Sequence, residues 1–165
     1  MNNIDLWGWD KKKRTMIRFI RAGDIFCFKI DDCLYGYGQI ISIIDFGFIA
    51  EILGCTSSPD NITEHEIKNG NRILSPLFID SYILFDRKTE KGADWRIIGR
   101  QDNFTPQNIE NVFFTYGEGN SCKKINVFGE EVPITPEEAS RLPIVSPKRD
   151  TQIKKMLSEK SKKQQ

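Results

Sequence analysis

The sequence contains one histidine, placed where it could do acid–base chemistry. His65 stands between Glu64 and Glu66, an arrangement that invites interpretation as a general base. Thr63 and Glu66, however, have the spacing of a capping box, in which the Thr hydroxyl accepts from the Glu66 N–H and the Glu66 carboxylate reaches back. A solvent-exposed position in the first turn of a short helix, ending before Gly70, therefore accounts for His65 without catalysis.

The four cysteines, at positions 27, 33, 55 and 122, include no Cys-x-x-Cys motif. Zinc sites need clustered thiolate and imidazole ligands, so this distribution does not favour a metal. Cys27 falls within a strand pattern and is expected to pack as a small apolar side chain. The N-terminus has no secretory signal pattern, which predicts a cytoplasmic protein with free thiols.

The sequence lacks the other common catalytic motifs. It contains no P-loop, no dinucleotide-binding glycine fingerprint and no Gly-x-Ser-x-Gly nucleophile motif. Carboxylate pairs occur at 31–32, 130–131 and 137–138, all at predicted turns or helix starts, where ordinary structure accounts for them. The sequence therefore predicts neither an active site nor a cofactor.

Three predicted strands organise the rest of the chain. Residues 25–30 alternate in the manner of a β-strand, with Phe26 and Phe28 on one face. An aspartate pair then predicts a turn, and further strands are expected at 35–44 and 48–53. Together they predict an antiparallel meander, the start of a curled sheet or partly open small barrel.

Two glycines in the second strand, Gly36 and Gly38, share one face, while Tyr35 and Tyr37 share the other. A glycine within a strand usually marks a bulge, a bend or a close approach of another group. The pair therefore predicts a tightly coiled strand with something packed over its bare face.

The later sequence predicts two hairpins and a short helix. The apolar run 77–85 is expected to be a strand, paired in a hairpin with a return strand that begins at Trp95. Segments 112–116 and 123–128 flank a glycine-rich turn and predict a last hairpin. Thr135 begins a second capping box, which predicts a further short helix.

The length and composition indicate one soluble domain. The chain has 165 residues, of which 39 % are hydrophobic and 28 % charged, as in ordinary globular proteins. No apolar run is long enough to span a bilayer. A C-terminal helix is expected through Leu157, and the residues after it lack apolar side chains. We therefore predict a single mainly β domain with two or three short helices over residues 1–157, and a disordered basic tail over residues 158–165.

The net charge of +1 conceals a polarised chain. Residues 1–21 carry net +4 and residues 148–165 carry net +5, whereas residues 22–147 hold 11 basic and 19 acidic side chains, net −8. A surface that holds nucleic acid must be basic to neutralise phosphates. The acidic body therefore disfavours nucleic acid and favours a basic partner.

Three short motifs resemble a known family in their order and spacing. They are Gly23-Asp24-Ile25-Phe26, then Tyr35-Gly36-Tyr37-Gly38, then Trp95 with Ile98 and Gly99. In these residues the chain resembles the immunity protein 26 family of bacterial polymorphic toxin systems, over roughly residues 18–105. The resemblance implies a protein that is made beside a toxin, binds the toxin and neutralises it by stoichiometric occlusion, without catalytic activity.

Two other functions stay open at this point. A ribonuclease toxin of the MazF type also opens with a Gly-Asp strand of a small barrel, but it needs a basic groove to hold phosphates. A barrel module that binds a basic peptide could use Tyr35 and Tyr37 as a stacking pair. The acidic body argues against the first alternative but not against the second.

If the partner is a toxin with a basic surface, acidic and aromatic side chains are the candidate contacts. The candidate acids are Asp45, Glu51, Asp80 and Asp86. The candidate aromatic anchors are Tyr35, Tyr37 and Trp95. Trp95 has a second interpretation as a packing residue, which we favour because large aromatic side chains are mostly buried.

Overall fold

The computed structural model describes residues 3–10, 17–85 and 94–164. The basic run at 11–16 and the predicted turn at 86–93, with the candidate Asp86, lie outside the described residues. The described strands are β1 (Ile4–Leu6), β2 (Asp24–Lys29), β3 (Tyr35–Ile44), β4 (Gly47–Thr56), β5 (Leu77–Ile79), β6 (Trp95–Gln101), β7 (Phe114–Tyr116), β8 (Lys123–Ile125) and β9 (Glu131–Pro133). The described α-helices are α1 (Glu64–Asn69), α2 (Ser81–Phe85), α3 (Pro136–Ala139) and α4 (Asp150–Lys163).

A six-stranded antiparallel sheet forms the centre of the protein, with the strand order β1-β6-β2-β3-β4-β5. β1 and β5 are its two edges, so the sheet is not closed into a barrel. The predicted mainly β class and the predicted meander of β2, β3 and β4 are both confirmed.

The second sheet has the order β7-β8-β9 and is also antiparallel. Its first two strands are the predicted last hairpin, which is confirmed. The third strand, β9, was not predicted. All three of its residues are exposed, so the sequence there has no alternation of apolar and polar residues to signal a strand.

The glycine face, the side of the central sheet on which Gly36 and Gly38 lie, is covered by phenylalanine rings as predicted. A Cβ atom at Gly36 would collide with the ring of Phe28. A Cβ atom at Gly38 would collide with the backbone oxygen of Glu51 and lie 2.7 Å from Cζ of Phe26. The register of β3 and β4 shifts between Tyr37 and Gly38, so a bulge, one of the features that strand glycines mark, is also present.

Two helices complete the core on the glycine face. α2 and α4 cover it with four buried side chains, Leu84, Phe85, Ile153 and Leu157. Trp95 joins this core: its indole stacks on the ring of Phe28 with centroids 4.0 Å apart, and its Nε1 donates to Asp150 at 2.8 Å. The packing interpretation of Trp95 therefore agrees with its position, and the residue ties β6 to α4.

The opposite side of the sheet, which we call the glutamine face after Gln39, is covered by two separate units. At one end α1 packs through Ile67 onto a cluster that contains Cys27 and Tyr37. At the other end the second sheet packs onto Ile41 and its neighbours. Gln39 lies between Tyr37 and Ile41 on β3, at the junction of the two units.

Residues 143–148 connect the two sheets. The backbone of Lys148 pairs with Phe78 and Asp80 at the edge of the central sheet, at 2.8 and 2.9 Å. The same segment pairs with both backbone groups of Thr115 at the edge of the second sheet. It thereby supplies partners to strand edges that would otherwise present unpaired backbone groups.

The strand predicted over residues 77–85 is wrong beyond its third residue. β5 ends at Ile79, and the Asp80 carboxylate then accepts a hydrogen bond from the Ile83 N–H at 3.2 Å, which starts α2. The predicted hairpin with Trp95 is also wrong, because β6 pairs with β1 and β2. The Asp80 carboxylate caps a helix within this apolar run, so the alternating pattern after Ile79 does not form a strand.

The helix starts follow local signals. The capping box at Thr63 and Glu66 is confirmed in both directions, at 3.2 and 2.7 Å. Thr135 accepts from the Glu138 N–H at 3.2 Å at the start of α3, which confirms the helix and one half of the predicted capping box. The Glu138 carboxylate accepts from Nζ of Lys124 at 2.8 Å instead of reaching back to Thr135.

α4 continues beyond its predicted end. Leu157 is its last buried residue, yet the helix runs to Lys163, so residues 158–163 are helical where disorder was predicted. Lysine and glutamate are good helix formers, which allows an exposed extension of a helix that is already anchored. Among the described helices, none has the length and apolar character needed to cross a membrane.

Candidate functional site

The Gly23–Asp24 motif is built into the fold. Gly23 has φ of +95°, and a Cβ atom there would lie 2.6 Å from the backbone oxygen of Gln101, so glycine is required. Asp24 is fully buried and accepts hydrogen bonds from Nε of Arg100 at 2.5 Å and from the backbone of Arg21 at 3.1 Å. Because a buried carboxylate must be paired, we assign the motif a structural role.

A polar groove of about 490 Å³ opens on the glutamine face, between the two units that cover it. Gln39, Glu51 and Gln101 form its floor. One wall comes from the end of α1 and the residues after it, and the other from residues 104–108.

The polar atoms of the groove floor are engaged in internal hydrogen bonds. Gln39 is 2 % exposed, and its Nε2 donates to the backbone oxygen of Gly23 at 3.1 Å and to Oε1 of Gln101 at 2.9 Å. Glu51 accepts from Nε of Arg72 at 2.6 Å. Buried polar groups need such partners, so the main role of these side chains is to stabilise the sheet.

Arg72 connects β4 to the groove wall that residues 104–108 form. Besides its ion pair with Glu51, it donates to the backbone oxygens of Gln107 and Asn108. Asn108 has φ of +54°, a left-handed conformation that asparagine tolerates better than most residues. Burial raises the pKa of the Glu51 carboxyl, although the hydrogen bond from Arg72 opposes this rise.

The groove is poorly equipped for catalysis. Its described lining contains no histidine and no cysteine, and its charged side chains are Glu51, Lys68 and Arg72. In the described residues, no group of three or more His, Cys, Asp or Glu side chains could hold a metal ion. Lys68, the one amine in the described lining, forms an i,i+4 ion pair with Glu64 at 2.6 Å, as is common on an exposed helix surface, so ordinary structure accounts for it.

The residues singled out for chemistry lie elsewhere. Burial raises the pKa of the Cys27 thiol to about 12, which keeps it protonated and unreactive at neutral pH. Cys33 and Cys55 are exposed free thiols. His65 is exposed on α1, with Nδ1 at 3.1 Å from the side-chain nitrogen of Asn69, as expected of a first-turn surface residue.

Three of the predicted partner contacts are buried, which agrees with the favoured packing interpretation of Trp95 and was not expected of Tyr37 and Glu51. Tyr37 is 7 % exposed, because its ring fills the space above Gly54. Trp95 is 4 % exposed in the core of the glycine face, and Glu51 is paired with Arg72. Burial leaves these three side chains little area for a partner.

The other predicted contacts have different environments. Asp80 is half-buried, caps α2 and lies 3.7 Å from Arg149. Tyr35 is half-buried and packs edge-on against Trp9, with ring centroids 5.5 Å apart. Asp45 is exposed at the turn between β3 and β4. Asp86 lies outside the described residues, so Asp45 is the most accessible of the described candidates.

Sequence analysis missed two aromatic residues near Asp45. Phe46 is 39 % exposed and Phe128 is 58 % exposed, each at the tip of a turn followed by glycine. Turn tips usually carry small polar residues, glycine or proline. A large aromatic residue directly before a turn glycine is the signal that could have identified them.

A comparison with models of known protein families identifies the family of this chain. The model of the immunity protein 26 family matches residues 21–126, more than half of the chain. The chain belongs to the immunity protein 26 family. No curated protein and no solved structure matches it. The match takes in the Gly23–Asp24 motif, the meander and the groove, and it ends two residues before Phe128.

Proposed function

We propose that this protein binds a cognate bacterial toxin domain and neutralises it by stoichiometric occlusion. The observation that carries the proposal is the match to the immunity protein 26 family over residues 21–126. An immunity protein acts through its surface, so its fold has only to present that surface rigidly. The groove is consistent with this role. The hydrogen bonds among its polar side chains stabilise the sheet, and a stable sheet presents the protein surface rigidly.

We further propose that the protein is not an enzyme and acts in the cytoplasm. Support for the first point is the match to an immunity protein family, together with a described groove lining that contains neither histidine nor cysteine. Support for the second is that its described cysteines are all free thiols, as expected in a reducing compartment.

The partner that fits best is a toxin with a basic surface. Residues 22–147 carry net −8, and toxins that act on nucleic acid or anionic lipid need a basic surface to hold phosphates. Occlusion by a protein of this size requires an interface of about 1,200–2,000 Å² in total. Contact over such an area can cover a substrate site without any chemistry by the inhibitor.

Co-expression tests this function directly. The toxin domain encoded beside this chain is induced in a bacterial host with and without the protein. We expect growth arrest with the toxin alone, growth with both, and a purified complex of one copy of each by light scattering. Growth arrest by this protein alone, with RNA cleavage, would instead support the MazF-type alternative. Binding of a basic peptide without protection would support the peptide-binding module.

A further inference from the structure

Two turns from different sheets place aromatic side chains around the same end of β3. The ring of Phe46, in the turn after β3, lies 4.8 Å from the ring of Tyr116 at the end of β7. The turn that carries Phe128 is adjacent, because a Cβ atom at Gly129 would lie 3.6 Å from Cγ2 of Ile44. We call Phe46, Tyr116 and Phe128 the aromatic patch.

Phe128 is held at the surface by a well-ordered turn. The Asn126 side-chain oxygen accepts from the backbone N–H groups of Phe128 at 2.9 Å and Glu130 at 3.0 Å. Val127, the preceding residue, is fully buried and anchors the turn in the core. Val127 therefore anchors the turn, and the hydrogen bonds fix the backbone position from which the exposed ring of Phe128 projects, so that backbone needs little ordering on binding.

Each aromatic residue of the patch has an acidic neighbour in the chain. Asp45 precedes Phe46, Glu118 follows Tyr116 by two residues, and Glu130 follows Phe128 by two residues. All three acids are exposed.

The acids of the patch are also available for a partner. None of the three forms an ion pair with another residue that the structure describes. Lys123, which pairs with Tyr116 in the second sheet, is 3.9 Å from Glu131 instead. The patch thus combines aromatic rings with three exposed acids, and the cation paired across the sheet from Tyr116, Lys123, is itself next to Glu131.

We propose that the aromatic patch, with Asp45, Glu118 and Glu130, is the surface that docks a basic face of the cognate toxin. This inference rests on the proposed immunity function and adds the location of the interface. Aromatic anchors surrounded by charged groups are typical of binding hot spots. A second copy of this chain fits less well, because a two-fold contact would bring the acids of one copy against those of the other.

The family match does not by itself assign this surface. Phe128 and Glu130 lie beyond residue 126, the last matched position, while Phe46 and Tyr116 lie within the match. The patch therefore combines a part of the family fold with residues outside the matched region. Such a combination suits an interface that must recognise one particular toxin.

The test measures binding of the toxin domain encoded beside this chain, inactivated in its active site and immobilised. Phe128→Ala is compared with Tyr82→Ala, which removes an aromatic ring that is 64 % exposed on α2. We expect Phe128→Ala to weaken binding about 30-fold or more, as for a hot-spot residue, and Tyr82→Ala to leave binding within twofold of wild type. Circular dichroism and thermal melts verify that both variants are folded.

A charge-reversal pair tests the acids of the patch. Asp45→Lys with Glu130→Lys is expected to slow association about tenfold at low salt, and the difference should shrink as salt is raised. Asp60→Lys, at an exposed acid near the α1 end of the sheet, is the control and should change the association rate by less than twofold.

Three outcomes separate the possible failures. If the wild-type protein does not bind the toxin domain, the proposed function falls and the docking surface falls with it. If the wild type binds and both the Phe128 and the charge-reversal variants bind equally well, the docking surface is overturned while the immunity function stands. If sedimentation shows a wild-type dimer that Phe128→Ala dissociates, the patch joins two copies of this chain and the toxin interface lies elsewhere.

Discussion

The two faces of the central sheet are built on different principles. The glycine face is one continuous apolar core, in which the rings of Phe26 and Phe28 lie directly over Gly36 and Gly38. The glutamine face is covered by two separate units, and at their junction the buried side chain of Gln39 needs hydrogen bonds.

This difference predicts where the protein tolerates change. On the glycine face, side chains and backbone are in direct contact, so added atoms have no space. On the glutamine face, hydrogen bonds of Arg72 join β4 to one wall of the groove, so we expect that wall to loosen without loss of the whole core when they are removed. Four experiments, ordered by expected effect, test this contrast.

Gly38→Val should have the largest effect. The new side chain would collide with the backbone of Glu51, which cannot move without breaking the pairing of β3 and β4. We expect a loss of more than ~3 kcal/mol, or failure to fold, against about 1–3 kcal/mol for Gly36→Val, whose obstacle is the side chain of Phe28. Urea denaturation measures both, with Ile43→Val at an exposed position of β3 as the control. Equal stability of all three variants would show that the glycine contacts are incidental.

The fold could be predicted from the sequence wherever the deciding interaction is local. The alternation around Phe26 and Phe28 and the capping box at Thr63 act within a few residues, and the glycine pair meets groups of the neighbouring strands of the same meander; all are confirmed. The partners of β6 could not be predicted, because the ion pair of Asp24 with Arg100 joins positions 76 residues apart.

The candidate site was harder to predict for a related reason. Alternation shows which residues share a face, but it does not show whether that face is covered. Tyr37 and Glu51 were expected to meet a partner, yet both faces of this sheet are covered and both residues are buried. Exposed aromatic residues at turns, such as Phe128, depend on the local turn and could have been recognised from the sequence.

Arg72→Met should have the next largest effect, because it leaves the Glu51 carboxylate without its partner. We expect a loss of about 2 kcal/mol, below the ~3–5 kcal/mol of a fully buried pair, since the groove admits water. Burial already raises the pKa of Glu51, and losing Arg72 removes the opposing interaction. A carboxyl whose pKa is raised in the folded state makes the protein less stable as pH rises through that pKa.

Stability measured by urea denaturation between pH 4 and pH 8 therefore checks the Arg72 prediction (about the range in which a raised carboxyl titrates). The decline of stability with rising pH should be steeper in Arg72→Met than in wild type. It should disappear in the double variant Arg72→Met with Glu51→Gln, which has no carboxyl to titrate. Identical pH profiles for all three proteins would contradict this account of the groove.

Thiol labelling should show a smaller, local effect: α1 on the glutamine face should open locally, whereas the core of the glycine face should open only when the whole protein unfolds. Cys27 lies under α1, and with a pKa of about 12 only ~10⁻⁴ of it is thiolate at pH 8. We expect Cys33 and Cys55 to react with a thiol reagent at least about 100-fold faster than Cys27. Ile67→Ala, in α1, should speed the labelling of Cys27, whereas Leu157→Ala, in the core of the glycine face, should do so only through global unfolding.

Deletion of residues 158–165 should have the smallest effect. α4 contributes Ile153 and Leu157 to the glycine face, and every described residue after Leu157 is exposed. The lysines of the last turn stabilise the helix C-terminus by only about 0.3–1 kcal/mol through the helix dipole. We therefore expect a change of no more than about 1 kcal/mol and unchanged protection against the toxin, whereas Leu157→Ala should cost about 2–3 kcal/mol. A large loss of stability on deletion would show that the core of the glycine face extends beyond Leu157. A loss of protection in a stable deletion variant would mean that the basic tail, rather than the acidic body alone, contacts the toxin.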